Sequence, residues 1–336
     1  MNRYDRQTSL IGPDAHNRIR SSRVTVIGAG GLGSPALLYL AAAGVGSIVL
    51  IDDDTVSLSN LHRQIIHSAA EIGEPKTLSA KMRMHELNSQ CVVETVQNRL
   101  TWENAVELLS GSDVVLDGSD NFHTRHIASH AAARLGIPHV WGSILGYEAQ
   151  MSVFHAGKGP VYEDLFPSPP PPGSVPSCAQ AGVLGPVVGV VGSSMAMEVL
   201  KIVTGLGQPL VGTLGYYDGL AGTWEYVPVV GDPEVAATIR TATPPRGPAE
   251  VSAIEPGAFV LDVRTPEEFR EHRLPHSVNV PLANILAGET PQIENGAVVV
   301  CASGIRSAQA VEILSQRGVP GVASLKGGLQ RLREQG

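Results

Sequence analysis

The stretch RVTVIGAGGLGSPALLYLAAAGVGSIVLIDDD, residues 23–54, constrains this chain more than any other. An apolar run ends in a glycine cluster, a helical segment opens near Ser34 and Pro35, and a second apolar run ends at Asp52. Short, continuously apolar runs read as strands buried on both faces, and Pro suits the first turn of a helix. The segment therefore predicts a complete strand-helix-strand unit whose two strands are parallel. Gly28, Gly30 and Gly33, with Gly31 between them, hold the G-x-G-x-x-G spacing. Without Cβ atoms, their backbone N–H groups can approach a phosphate at a helix N-terminus. Asp52 lies 24 residues after Gly28, where a carboxylate can take ribose hydroxyls. Taken alone, this fingerprint suits a dinucleotide as readily as ATP.

The alternation continues. DVVLDGSDN and PHVWGSI read as further strands separated by the helical FHTRHIASHAAARLG, which predicts an α/β fold with a doubly wound, Rossmann-like, mostly parallel sheet. PVVGVVGSSMAMEVLKIVTG reads as a helix and GTLGYYDGLAGTWEYVPV as paired strands. Between the two halves runs a Pro-rich loop, KGPVYEDLFPSPPPPGSVPSCAQAG, longer than structureless loops in compact domains usually are. Residues 231–246 shift to Pro, Thr and Gly and read as a linker after a first domain of residues 1–230. A second alternation through AFVLDVR, PEEFREHR, AVVVCASG, IRSAQAVEILSQRG and VASLKGG then predicts a separate α/β domain over residues 247–336.

A formal net charge of -8 argues against nucleic acid as a main partner. The polar opening MNRYDRQTSL predicts no signal peptide, and the longest apolar stretches, broken by Gly and Pro, are expected to be too short to cross a bilayer. With 3 cysteines no disulfide framework can be built, which suits a reducing cytoplasm.

Beyond the fingerprint, DDDTVSLSNLHRQ places Asn60, Arg63 and Gln64 just after the second strand, GEPKTLSAK supplies Lys76, and DGSDN puts Asp117 and Asp120 at a strand's C-terminal end. A hydride-transfer enzyme has no need of this set. Nucleotidyl transfer does, because cations offset charge developing on an α-phosphate and a carboxylate such as Asp120 can hold Mg²⁺.

RYDRQ, GAGGLGS, DDDTVSLSNLHRQ, GEPK and DGSDN, in that order over roughly residues 1–228, resemble the ubiquitin-activating-enzyme superfamily, in particular bacterial adenylyltransferases for molybdopterin and thiamine sulfur carriers. The resemblance implies that ATP and Mg²⁺ adenylate the C-terminal glycine of a small ubiquitin-like carrier ending in Gly-Gly. It implies that Asp52 binds ribose, that Asn60, Arg63, Gln64 and Lys76 hold phosphates and the transition state, and that Asp120 organises Mg²⁺. Asp54 and Ser59 fall in the same nucleotide-binding set. Arg6 resembles an arginine that relatives insert into a neighbouring subunit's site, which implies a homodimer. Such relatives usually carry a zinc on two C-x-x-C pairs. Here Val161 and Asp164 stand at the first pair, VPVVGDPEV at the second has no cysteine, and no zinc is expected.

CASGIRSA follows an apolar strand and precedes a helix, so Cys301 falls near a helix N-terminus, where the dipole and loop N–H groups stabilise a thiolate. Arg306 adds positive charge. With FVLDVRTPEEFREHRLPHSVNVPL and SLKGG, the segment resembles a rhodanese domain, which implies a persulfide on Cys301 held by a loop including Gly304, Arg306 and Ser307. The usual loop reads C-R-x-G-x-R-S, and Ala302 replaces its first arginine. The sulfur would come from thiosulfate or a cysteine desulfurase. Cys178, in SVPSCAQAGVLGP, matches a cysteine that in some relatives attacks the adenylate or joins the carrier in an acyl disulfide and in others is dispensable. Cys91 is expected to face the core. The whole predicts an adenylyltransferase and sulfurtransferase on one chain, against a non-catalytic carrier-binding scaffold or a nicotinamide-dependent oxidoreductase.

Overall fold

The computed structural model describes residues 2–169, 182–242, 249–293 and 296–335. One compact unit comprises the described residues through 242, and a second comprises those from 249 onward.

The first unit is built on β1 (Arg23–Ile27), β2 (Ser47–Ile51), β3 (Val92–Val96), β4 (Val114–Asp117), β5 (His139–Leu145), β6 (Glu148–Phe154), β7 (Thr213–Asp218) and β8 (Thr223–Pro228). Their order across the sheet is β3-β2-β1-β4-β5-β6-β7-β8. The first five strands are parallel, and the last three pair antiparallel. Side chains alternate across the pleat, so Ile48 and Leu50 enter one core while Val49 and Ile51 enter the other. Each such buried aliphatic contributes about 1.5–3 kcal/mol relative to exposure. The helices Gly33–Ala43, Lys76–Leu87 and Gly185–Thr204 supply the first core, and Ala105–Leu109 and Phe122–Leu135 the second. Cys91 is buried in the first core. The chain runs from β1 outward to β3 and returns to β4 on the other side, which opens a crevice at the C-terminal ends of β1 and β4.

Two sequence expectations are corrected. The apolar segment thought too short and too broken to cross a bilayer forms one continuous 20-residue helix, Gly185–Thr204, long and apolar enough for a span by length and composition. Gly192 serves packing: a Cβ there would lie 2.4 Å from the Leu32 carbonyl oxygen. Val187, Val188, Val191, Met195 and Val199 bury its inner face in the first core. The stretch read as a linker from residue 231 instead contains a helix, Pro233–Thr241, capped by Asp232 and packed through Ala236 and Ile239 on Ala133, Ala156 and Val161. Asp at the N-cap followed by Pro was a start signal that the surrounding Pro and Thr obscured.

The second unit is a five-stranded parallel sheet of β9 (Glu250–Val251), β10 (Val260–Asp262), β11 (Val278–Asn279), β12 (Ala297–Val300) and β13 (Val322–Leu325), in the order β11-β10-β12-β13-β9. Val299 and Val300 face opposite cores, as strands covered on both sides require.

Candidate functional sites

Glycine geometry sets the first site. Gly28 turns at φ +90°, and a Cβ on Gly33 would fall 1.9 Å from the Gly28 carbonyl oxygen. Only glycine permits the helix Gly33–Ala43 to start so close beneath the turn. A Cβ on Gly28 would in turn meet the Gly118 carbonyl oxygen at 3.2 Å, so the glycine turn lies directly against the loop after β4. Asp52, just past β2, accepts the Ala29 N–H at 2.7 Å and the Asp54 N–H at 2.8 Å. Burial pushes its carboxyl above the usual range, partly offset by the Lys76 charge and those two N–H groups. Lys76 opens the helix Lys76–Leu87, is only 5% exposed, and bonds Asp54 Oδ2 at 2.8 Å. Gln64 is buried beneath Gly30, and its Oε1 has no partner among the described residues.

The structure thus brings Gly28, Gly30, Gly31, Gly33, Asp52, Asp54, Gln64 and Lys76 together. Asn60 ends a 3-10 turn, and its carbonyl accepts the Arg63 and Gln64 N–H groups. Arg63 Nη1 donates to the Ser59 carbonyl at 3.1 Å. Asp120 is exposed three residues past β4. Asp117 is fully buried, a structural group: it accepts the Ser119 N–H at 2.9 Å and meets His139 Nε2 at 3.2 Å. Burial alone would raise its carboxyl, but the His139 and Ser119 bonds hold it below the usual range. Arg6 is exposed on the first helix, Asp5–Ile11. Cys178 lies outside the described residues.

Sequence reasoning missed His67. This buried ring lies 2.9 Å from the Ala29 carbonyl through Nε2 and 2.6 Å from Ser79 Oγ through Nδ1, while Ser79 also bonds Glu71 at 2.9 Å. It ties the glycine turn to the helix that carries Lys76. The histidine in HRQIIHS was visible, but its partners lie 38 and 12 residues away and nothing local announces them.

The second site starts at the end of β12. Cys301 Sγ receives the Gly304 N–H at 3.1 Å and the Ser307 N–H at 3.4 Å, with Ser307 Oγ at 3.5 Å. Gly304 caps the helix Ile305–Gln316 at φ +90°, which bends the loop around the sulfur. Ser307 Oγ is fixed by the Gly304 carbonyl at 3.0 Å and Ser324 Oγ at 2.8 Å. N–H groups from a loop and a helix start thus converge on a fully buried sulfur. Arg306 forms a two-pronged ion pair with Glu268, both contacts 2.7 Å.

Asp164 joins the two segments read as standing in place of cysteine pairs by hydrogen bonds, accepting the N–H groups of Val161 at 2.7 Å and Asp232 at 2.9 Å. Among the described residues no group of three or more His, Cys, Asp or Glu could hold a metal.

Comparison with known proteins agrees with this geometry. Residues 4–236 match the ThiF family and residues 249–335 the rhodanese-like domain. The chain is 38% identical to the Mycobacterium tuberculosis "Probable adenylyltransferase/sulfurtransferase MoeZ", over 97% of this chain and 91% of that protein. It is 47% identical to the Thermus thermophilus "Sulfur carrier protein adenylyltransferase", over 69% of this chain and 89% of that one. The crystal structure of E. coli MccB with MccA-N7isoASN superposes with a TM-score of 0.63 at 20% identity, covering 69% of this chain and 74% of MccB, and shares the fold. The glycine turn, the Asp52 and Lys76 cradle and the Cys301 loop are thus those of a chain that belongs to the ThiF family and carries a rhodanese-like domain after it.

Proposed function

We propose that this chain adenylates the C-terminal glycine of a ubiquitin-like sulfur carrier with ATP, and then passes sulfur from a Cys301 persulfide to that carboxyl group. One observation carries the reading: a single chain holds both a glycine-turn nucleotide cradle and a thiol gripped by two loop N–H groups. The family membership and the relatives' names support it, and give no support to an oxidoreductase or an inert scaffold.

In the first step a carrier carboxylate oxygen attacks the α-phosphorus of ATP and pyrophosphate leaves. The glycine turn offers N–H groups to phosphate, Asp52 takes the ribose, and Lys76 and Arg63 stabilise charge on the phosphate as it builds. Asn60 and Gln64 hold the nucleotide beside them. Mg²⁺ fits here as one exposed carboxylate, Asp120, together with the phosphates, the mode this ion favours. When bound it neutralises phosphate charge.

In the second step the terminal sulfur of the Cys301 persulfide attacks the acyl carbon and AMP leaves, giving a carrier acyl disulfide. Two thiol equivalents then reduce it, releasing the carrier thiocarboxylate and the Cys301 thiol and forming one disulfide. Cys178 is one candidate for those thiols. A homodimer completed by Arg6, and a reducing cytoplasm as the working compartment, fit the same scheme.

Carrier-dependent exchange of labelled pyrophosphate into ATP tests the first half. Lys76→Ala should slow it by about 10²–10³-fold, the scale of removing one preorganised charge donor. Unchanged exchange would exclude Lys76 from the chemistry.

A further inference from the structure

We propose that Glu268 sets the charge of the sulfur donor that Cys301 accepts, by neutralising the one cation of its loop and so disfavouring sulfur oxyanions. The inference rests on the persulfide reading of Cys301.

The loop 301–307 contains a single cationic residue, Arg306, because Ala302 carries no charge. A free guanidinium there would bind a planar or tetrahedral oxyanion through paired N–H groups. Both Arg306 Nη groups are instead engaged by Glu268, at 2.7 Å each. The Arg306 hydrogen bonds hold the Glu268 carboxyl down to about 2, so the pair is charged across the working range. Bonding to Glu268 likewise raises Arg306, with the nearby Cys301 and Asp262 charges adding to it. The other arginine of this region, Arg264, is buried and spent on Asp262, with Nη2 to Oδ2 at 2.6 Å.

Arg306 and Glu268 cancel, which leaves the buried Cys301 sulfur held by the Gly304 and Ser307 N–H groups and the Ser307 hydroxyl, with no net charge from the loop itself. Thiosulfate arrives with two negative charges and must place a sulfonate beside an Arg306 whose charge Glu268 already offsets. A persulfide of a neutral thiol compound brings one negative charge, on the sulfur that is transferred. In the first case the thiolate attacks the sulfane sulfur, the S–S bond breaks and sulfite leaves; in the second the leaving group is a thiolate. Both give the same Cys301 persulfide, so the donors differ in the leaving group and in the charge the site must accommodate.

Glu268 also closes a capping box, accepting the Thr265 N–H at 2.9 Å, and Gln satisfies that bond equally well. Glu268→Gln in the full chain therefore removes the charge and keeps the cap. With thiosulfate or cysteine persulfide as donor and cyanide as acceptor, thiocyanate formation gives kcat and KM for each. The variant should raise kcat/KM for thiosulfate about tenfold, mainly through KM, and change the cysteine persulfide value less than about twofold, the equivalent of about 1.4 kcal/mol in favour of the dianion. Adding Arg306→Met to it should erase the gain. Ala302→Arg, which supplies a second cation without touching the pair, should raise thiosulfate use in the same direction. Equal changes for both donors, or none in either variant, overturn the proposal. A wild-type chain that forms no persulfide from either donor instead overturns the reading beneath it.

Discussion

Asp164 Oδ1 accepts the backbone N–H of Asp232 at 2.9 Å, and its other oxygen accepts the N–H of Val161 at 2.7 Å. One carboxylate thereby joins the start of the short helix Tyr162–Leu165 to the N-cap of the helix Pro233–Thr241. Hydrogen bonds to a charged group contribute about 1.5–3 kcal/mol. Asp164→Ala should therefore lower the melting temperature by at least about 3–12 °C, the loss of one such bond at about 2–4 °C per kcal/mol for a domain of this size. Dialysis against a zinc chelator should leave melting of the unaltered chain where it was. A chelator-induced drop with a silent Asp164→Ala would show that metal, not this carboxylate, holds the segments.

His67 spans the glycine turn and the lysine helix, so its loss should be felt as misplacement of the ATP cradle. His67→Ala should raise KM for ATP about tenfold in pyrophosphate exchange while leaving KM for the carrier within about twofold, about 1.4 kcal/mol of binding. His67→Gln, which can still donate to the Ala29 carbonyl, should recover most of the loss. A uniform fall in kcat with unchanged KM, not rescued by Gln, would mean only that less enzyme is folded.

Much of this was legible in the sequence, and the reason is local. The glycine spacing, Asp52 at a strand end and the strand-helix alternation are each written within a few residues, and the sheet places them as read. Lys76 and Gln64 fell inside motifs, yet their burial did not show; nor did the pairing of Lys76 with Asp54, 22 residues away. Arg306 read as the positive charge of the Cys301 loop while Glu268 had no reading of its own; 38 residues apart, they are joined only by the fold. Asp117 and Asp120 looked alike in DGSDN, but the sheet buries the first against His139 and leaves the second exposed. The helix Pro233–Thr241 was lost among prolines and threonines because its apolar face is only Val235, Ala236 and Ile239.

Acid sensitivity follows from four histidines. His16, His67, His130 and His155 are all held below their usual value of 6.5, in each case chiefly by burial. The unfolded chain then takes up protons before the folded one, so stability is present above about pH 6.5 and declines as the pH falls through and below that value. The depressed carboxyls of Glu71, Glu94, Asp117 and Glu268 act in a lower window, below about 4.5. The melting temperature should fall between about pH 7.5 and about pH 5.5, and fall less in His67→Gln. A flat profile across that range would contradict the burial of these rings.

The central claim is that sulfur reaches an activated carrier through Cys301. Incubating the chain with ATP, Mg²⁺, a sulfur donor, a reducing thiol and a small Gly-Gly-ending protein from the same genome, followed by mass spectrometry of that protein, tests it directly. One carrier oxygen should be replaced by sulfur in an ATP-dependent manner, and Cys301→Ser should abolish that replacement while leaving carrier-dependent pyrophosphate exchange intact. Thiocarboxylate formed by Cys301→Ser at the rate of the unaltered chain would contradict it.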